Sequence, residues 1–135
     1  MRVVLDTNVL FSGIFHSGPP ADILKDALKS KYQIVLSEEI VAEYIEVLHR
    51  TSENKKYSTE IAMKIVNVLI SNGLMVEINQ IPTPLCADPD DIKFLQTAIA
   101  GKAKFLISGD KHLLNVGAYA AGRVVKPREF LCLLN

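Results

Sequence analysis

The sequence is short of the features that most readily declare a function. Its two cysteines, Cys86 and Cys132, are far apart and have no metal-ligand spacing. They read as reduced, partly buried thiols rather than as a disulfide or a zinc site. Neither sign of charge prevails, because fifteen Lys and Arg cancel fifteen Asp and Glu. No overall field therefore advertises a grip on a polyanion, although a single local groove stays open. No apolar run approaches membrane-spanning length, and Met1-Arg2 leads straight into a strand with no basic-then-apolar leader. The expectation is a soluble, cytoplasmic protein with no membrane contact. The one glycine-rich stretch, Gly18-Pro19-Pro20, lacks the pattern of a phosphate loop or a dinucleotide fold. Internal repeats, low-complexity segments and interdomain linkers are also missing.

What is present is a chain of 135 residues, 49% of them hydrophobic. That suits one domain over residues 1–135, with enough apolar side chains to cover a sheet on two sides. Val3-Val4-Leu5 is a β-branched apolar run that stops abruptly at Asp6, the way a buried parallel strand ends. Further strands are expected over Tyr32 to Leu36, Leu74 to Ile78, Lys104 to Ser108 and Arg123 to Val125. Val9 to Phe15 is apolar and begins a helix or a packed loop.

Between the strands lie helical patterns. One starts near Pro19 or Pro20 and carries Ala21, Leu24, Ala27 and Leu28. A second is capped by Ser37, with Glu38 and Glu39 in its first turn, and buries Ile40, Val41, Tyr44, Ile45 and Leu48. A third is capped by Ser58 or Thr59 and ends near Asn72-Gly73, where Gly73 is a natural C′ residue. A fourth opens at Asp88-Pro-Asp-Asp91 and is stopped by Gly101. A short helical turn covers Lys111 to Leu114, and Pro127 begins the last helix. Thr51 to Tyr57 is the expected exposed loop. Strands alternating with helices predict a three-layer α/β/α fold with a central, mostly parallel sheet of four to five strands.

In such sheets ligands bind beyond the carboxyl ends of the strands. Three acids fall there: Asp6 after the first strand, Asp110 after the fourth, and Asp91 at the start of a helix. Clustered carboxylates repel one another and are rarely held together without a cation. Hard oxygen donors suit Mg²⁺ or Mn²⁺, which activate water against phosphate esters. Each acid also has a plainer explanation. Asp6 can cap the following turn, and Asp88 suits an N-cap with Pro89 at the first helical position better than it suits a ligand. Among the glutamates of the second helix, Glu39 and Glu46 lie opposite the apolar face, while Glu43 and Glu38 flank it on either side. Periodicity does not choose between those two. His49 and His112 read as surface residues, and Lys111 as a solvated lysine that could contact a phosphate.

Four blocks carry a resemblance: Asp6-Thr-Asn-Val-Leu10, Leu36-Ser-Glu-Glu-Ile-Val-Ala-Glu43, Asp88-Pro-Asp-Asp-Ile-Lys-Phe-Leu95 and Ser108-Gly-Asp-Lys-His-Leu-Leu114. Together with the closing Lys126-Pro-Arg-Glu-Phe-Leu131, they resemble PIN-domain proteins. The likeness points in particular to the branch of toxin components of toxin–antitoxin pairs, the VapC-like ribonucleases. The resemblance implies a metal-dependent endoribonuclease that cleaves single-stranded RNA, with Asp6, Glu43, Asp91 and Asp110 as a quartet binding Mg²⁺ or Mn²⁺. Asn8 and Ser108 match positions that support the metal site. The resemblance also implies a homodimer neutralised by a small antitoxin protein. There are departures: His112 stands where many relatives carry a further acid, Ile92 where this branch often has an aspartate, and Ser108 where threonine is more usual. The rival expectation is a non-catalytic PIN module that binds RNA or a protein partner.

Overall fold

The computed structural model describes residues 1–51, 53, 58–86 and 88–134. Its centre is a sheet built from β1 (Arg2–Leu5), β2 (Gln33–Leu36), β3 (Leu74–Met75), β4 (Phe105–Ile107), β5 (Ala118–Tyr119) and β6 (Gly122–Val125), in the order β3-β2-β1-β4-β6-β5. All neighbours are parallel except β5 and β6, which form a short antiparallel hairpin. Val3-Val4-Leu5, Ile34-Val35-Leu36 and Phe105-Leu106-Ile107 are each buried at consecutive positions. Side chains alternate between the faces of a strand, so unbroken burial means that both faces are covered. The expected mostly parallel sheet with flanking helices is what forms.

The covering helices are α1 (Thr7–Phe15), α2 (Pro19–Leu28), α3 (Glu38–Thr51), α4 (Thr59–Asn72), α5 (Ile92–Ala100), α6 (Lys111–Val116) and α7 (Pro127–Leu134), with a single 3-10 turn over Pro89–Asp91. α5 packs on β1, β2 and β4, and its partner α3 packs on α4. α7 inserts Phe130, whose ring meets Tyr32 and Phe105 edge-on at 5.3 and 5.5 Å between centroids. No helix among the described residues is long and apolar enough to cross a membrane.

The register of β1 against β4 decides the geometry of the site. Val3 pairs with Phe105 and Leu5 with Ile107, so the two strands end level. The Asp6 amide continues the ladder to the Ile107 carbonyl at 3.0 Å, which brings Asp6 beside Ser108.

Several local expectations are revised. The chain turns into α1 at Thr7, immediately after Asp6, with no intervening loop. The sheet gains a strand, the two-residue β5, too short to show an alternation of its own. β3 stops at Met75 instead of Ile78. Thr51 ends α3, and of the expected loop, residues 52 and 54–57 lie outside the described residues.

Gly73 does follow α4 as expected, in extended conformation with φ −81° and ψ 172°. A Cβ there would lie 2.9 Å from the Ile34 carbonyl oxygen and 2.7 Å from that of Leu69. Glycine is needed for close approach, and backbone handedness is not the reason.

Candidate active site

The site starts from a strand that runs out of apolar residues. Asp6 leaves β1 in extended conformation and sits at the head of α1, yet its side chain makes no capping bond to that helix. It turns instead towards β4, where the Ser108 hydroxyl donates to Asp6 Oδ2 at 2.7 Å. The same hydroxyl oxygen accepts from the Asp110 amide at 2.9 Å. Ser108 is fully buried and thus ties the ends of β1 and β4 together. Both the proton and the oxygen of this hydroxyl are in use.

Asp110 caps α6, its Oδ1 accepting from the amides of His112 at 2.8 Å and Leu113 at 3.2 Å. Burial opposes its ionisation. The Leu113 and His112 amides, a hydrogen bond with Asp91 and the nearby His112 outweigh it, holding the carboxyl below the usual aspartate range.

Asp91 ends the 3-10 turn and enters α5 buried. Burial, then the charge of Asp110, a hydrogen bond with Asp110 and the charges of Asp6 and Asp88 push its pKa up to about 7. Asp6 is raised as well, mainly by burial, with Glu43 and Asp110 adding to the shift while Ser108 and the Thr7 amide oppose it. Asp110 therefore stays ionised and lies near enough to Asp6 and Asp91 to resist their ionisation.

Glu43, rather than Glu38, is the glutamate of α3 that reaches this group. Its Oε2 accepts from the Thr7 hydroxyl, and its Oε1 is 2.7 Å from the Lys93 ammonium. Beneath it Tyr44 is buried and donates to the Leu5 carbonyl at 2.5 Å. Burial raises the pKa of that phenol well above its ordinary value, with Asp6 and then Glu43 adding to the effect.

The remaining candidates divide. Asp88 is a cap, its Oδ1 accepting from the Asp90 amide at 3.0 Å. Asn8 and Lys111 are exposed. Glu39, expected to face solvent, has a buried Oε2. Helical periodicity sees only the helix's own core, and here residues 75–79 fold over the start of α3. Thr7, Tyr44 and Lys93 belong to the site without having been singled out from the sequence. Of these only Lys93 carried a signal, a cation in the first turn of a helix, where the dipole disfavours it.

Among the described residues no three His, Cys, Asp or Glu side chains form a set that could hold an ion by themselves. The donors nonetheless fit Mg²⁺ or Mn²⁺, ions that keep several waters and are bound through one or two carboxylates. Asp91 Oδ2 is buried and has no hydrogen-bond partner among the described residues. Such an oxygen is costly unless something positive meets it. An apolar groove of about 820 Å³ adjoins the acids at His112 and runs past Leu95, Asn115 and Tyr119.

A family model described as PIN domain matches residues 2–112. No curated protein matches the chain. Among solved structures, the chain is similar to VapBC2 from Rickettsia felis bound to a DNA fragment from their promoter. The TM-score is 0.60 at 16% identity, over 93% of this chain and 98% of that one. It is also similar to PAE2754 from Pyrobaculum aerophilum, with a TM-score of 0.64 at 13% identity, over 99% of this chain and 89% of that one. At these identities the likeness establishes the fold.

Proposed function

The chain belongs to the PIN-domain family, generally nucleases, and on that premise we propose that it is a Mg²⁺- or Mn²⁺-dependent endoribonuclease acting on single-stranded RNA. The observation that carries this reading is the orphaned Asp91 oxygen beside Asp110 and Asp6, the latter also within reach of Glu43. The shifts of Asp6, which feels Glu43 and Asp110, and of Asp91, which feels Asp110 and Asp6, support grouping the four acids at the sheet's carboxyl edge. A fold has no structural need for such an arrangement, but a cation site does.

In this reading Asp6, Asp91 and Asp110 would hold the ion directly or through water. The ion, when bound, supplies Lewis-acid polarisation of the scissile phosphate. Glu43 orients the attacking water in line with the departing 3′ oxygen, which leaves a 5′ phosphate on the downstream product. Ser108 fixes the Asp6 carboxylate, and the α6 amides keep Asp110 ionised. The apolar groove beside His112 offers unpaired bases a dry wall, which a stacked duplex would not need.

The cellular role is proposed as the toxin of a toxin–antitoxin pair, a homodimer restrained by a small antitoxin protein. The motif resemblance and the structural likeness to VapBC2 support it.

The test is incubation of purified protein with single-stranded RNA in millimolar Mn²⁺ and in EDTA, followed by analysis of the product ends. Cleavage in Mn²⁺ alone, leaving 5′ phosphates, is expected. RNA left intact in Mn²⁺ under conditions where the protein binds it would favour the non-catalytic module.

A further inference from the structure

Lys93 occupies an unusual place. It lies in the first turn of α5, one residue after Ile92, where the helix dipole disfavours a cation. The positions three and four residues ahead are Gln96 and Thr97, and Asp90, three residues behind, is not the acid that it pairs with. Its partner comes from another helix: Nζ is 2.7 Å from Glu43 Oε1, and both side chains are largely shielded, at 26% and 21% exposure. The other Glu43 oxygen is taken by Thr7. Close by, Ser37 and Thr97 share a buried hydrogen bond of 2.7 Å that joins the start of α3 to the same helix, α5.

We propose that Lys93 is a positioning residue of the acidic site, holding Glu43 in place and serving as its resident positive charge when no divalent cation is bound. The assignment of Glu43 as a site acid rests on the nuclease reading; the Lys93–Glu43 pair itself does not. Asp6 and Asp91 lie within electrostatic reach of Asp110, and Glu43 adds its negative charge beside Asp6. Lys93 cancels that charge and, with Thr7, fixes the carboxylate's rotamer from both sides. An incoming divalent ion therefore meets a group of lower net charge and a glutamate already oriented. Two consequences follow in opposite directions. Removing the ammonium makes the site more attractive to a divalent ion, but it leaves Glu43 held by Thr7 alone.

The experiment compares wild type, Lys93→Met and Lys93→Arg. Mn²⁺ binding is measured calorimetrically, and thermal melts are run in EDTA with the double variant Glu43→Gln/Lys93→Met and Glu43→Gln alone completing a cycle. Lys93→Met is expected to melt lower in EDTA and to bind Mn²⁺ about threefold to tenfold more tightly, the effect of one unit charge on a nearby divalent ion through water. The loss in melting temperature is expected to shrink once Glu43 is already Gln. Lys93→Arg is expected to keep wild-type Mn²⁺ affinity. A lysine that merely packs against α3 would lower the melt without moving the Mn²⁺ constant. An unchanged constant in a folded Lys93→Met, or an equal melt loss in both backgrounds, overturns the proposal. If wild type binds no Mn²⁺ and cleaves no RNA, the nuclease reading fails, while the EDTA cycle still decides whether Lys93 and Glu43 are coupled.

Discussion

Asp91 shows most plainly what a single residue contributes here. Burial and the neighbouring Asp110 charge raise its pKa to about 7, above the ordinary aspartate value, so its protonated form favours folding. That contribution is complete at acid pH and is lost progressively as the pH rises from the ordinary carboxylate range to about 7. Asp110 is shifted the other way, so its contribution fades only as the pH falls below that range, and the two windows do not overlap. In EDTA the wild type is therefore expected to lose stability between about pH 4 and 7 and to level off above that. Asp91→Asn should flatten much of that slope and melt higher at pH 8, as thermal melts would show. A slope unchanged by the substitution would remove Asp91 from the site's electrostatics. Ser108 gives a second case. Ser108→Ala strands a buried Asp6 oxygen and the Asp110 amide, which should cost about 1–3 kcal/mol in denaturant titrations. Ser108→Thr, which restores the hydroxyl, should recover most of it.

At the scale of elements, the positions that matter most are where backbones touch. Gly122 opens β6 where an added Cβ would lie 2.2 Å from the Lys104 carbonyl oxygen. Backbone cannot step aside as a side-chain tip can, so Gly122→Ala is expected to destabilise by about 1–3 kcal/mol in urea unfolding. A loss below a few tenths would mean that the β4–β6 contact is looser than it stands.

The elements also show what the sequence made legible. Val3-Val4-Leu5 followed by Asp6 announced a buried strand with an acid at its end, and Asp88-Pro89 announced a cap; both are local signals with local causes. The level ending of β1 and β4 was not local, since it depends on pairing between residues about a hundred positions apart. Glu43 was distinguished from Glu38 only by the family resemblance. Its structural reason, the Thr7 hydroxyl and the Lys93 ammonium, comes from two other elements. Gly73 was read through the commonest use of glycine after a helix, and a steric limit set by β2 lies behind it. Where one element's neighbours determine a residue's role, periodicity along that element is silent.

Taken whole, the molecule is neutral by count yet uneven in arrangement. Fifteen charges of each sign cancel, while Asp6, Asp91, Asp110 and Glu43 gather at one end of the sheet. A net charge near zero supplies no long-range attraction for RNA, so the proposed cleavage rests on what the acids do locally. The central claim is that this gathering is a divalent-cation site for phosphodiester hydrolysis. The most direct measurement is the initial rate of single-stranded RNA cleavage at saturating Mn²⁺ by wild type and by Asp6→Asn, with circular dichroism confirming that both are folded. The account predicts a fall of about a hundredfold or more in the variant. Cleavage by folded Asp6→Asn at a rate within twofold of wild type would contradict it.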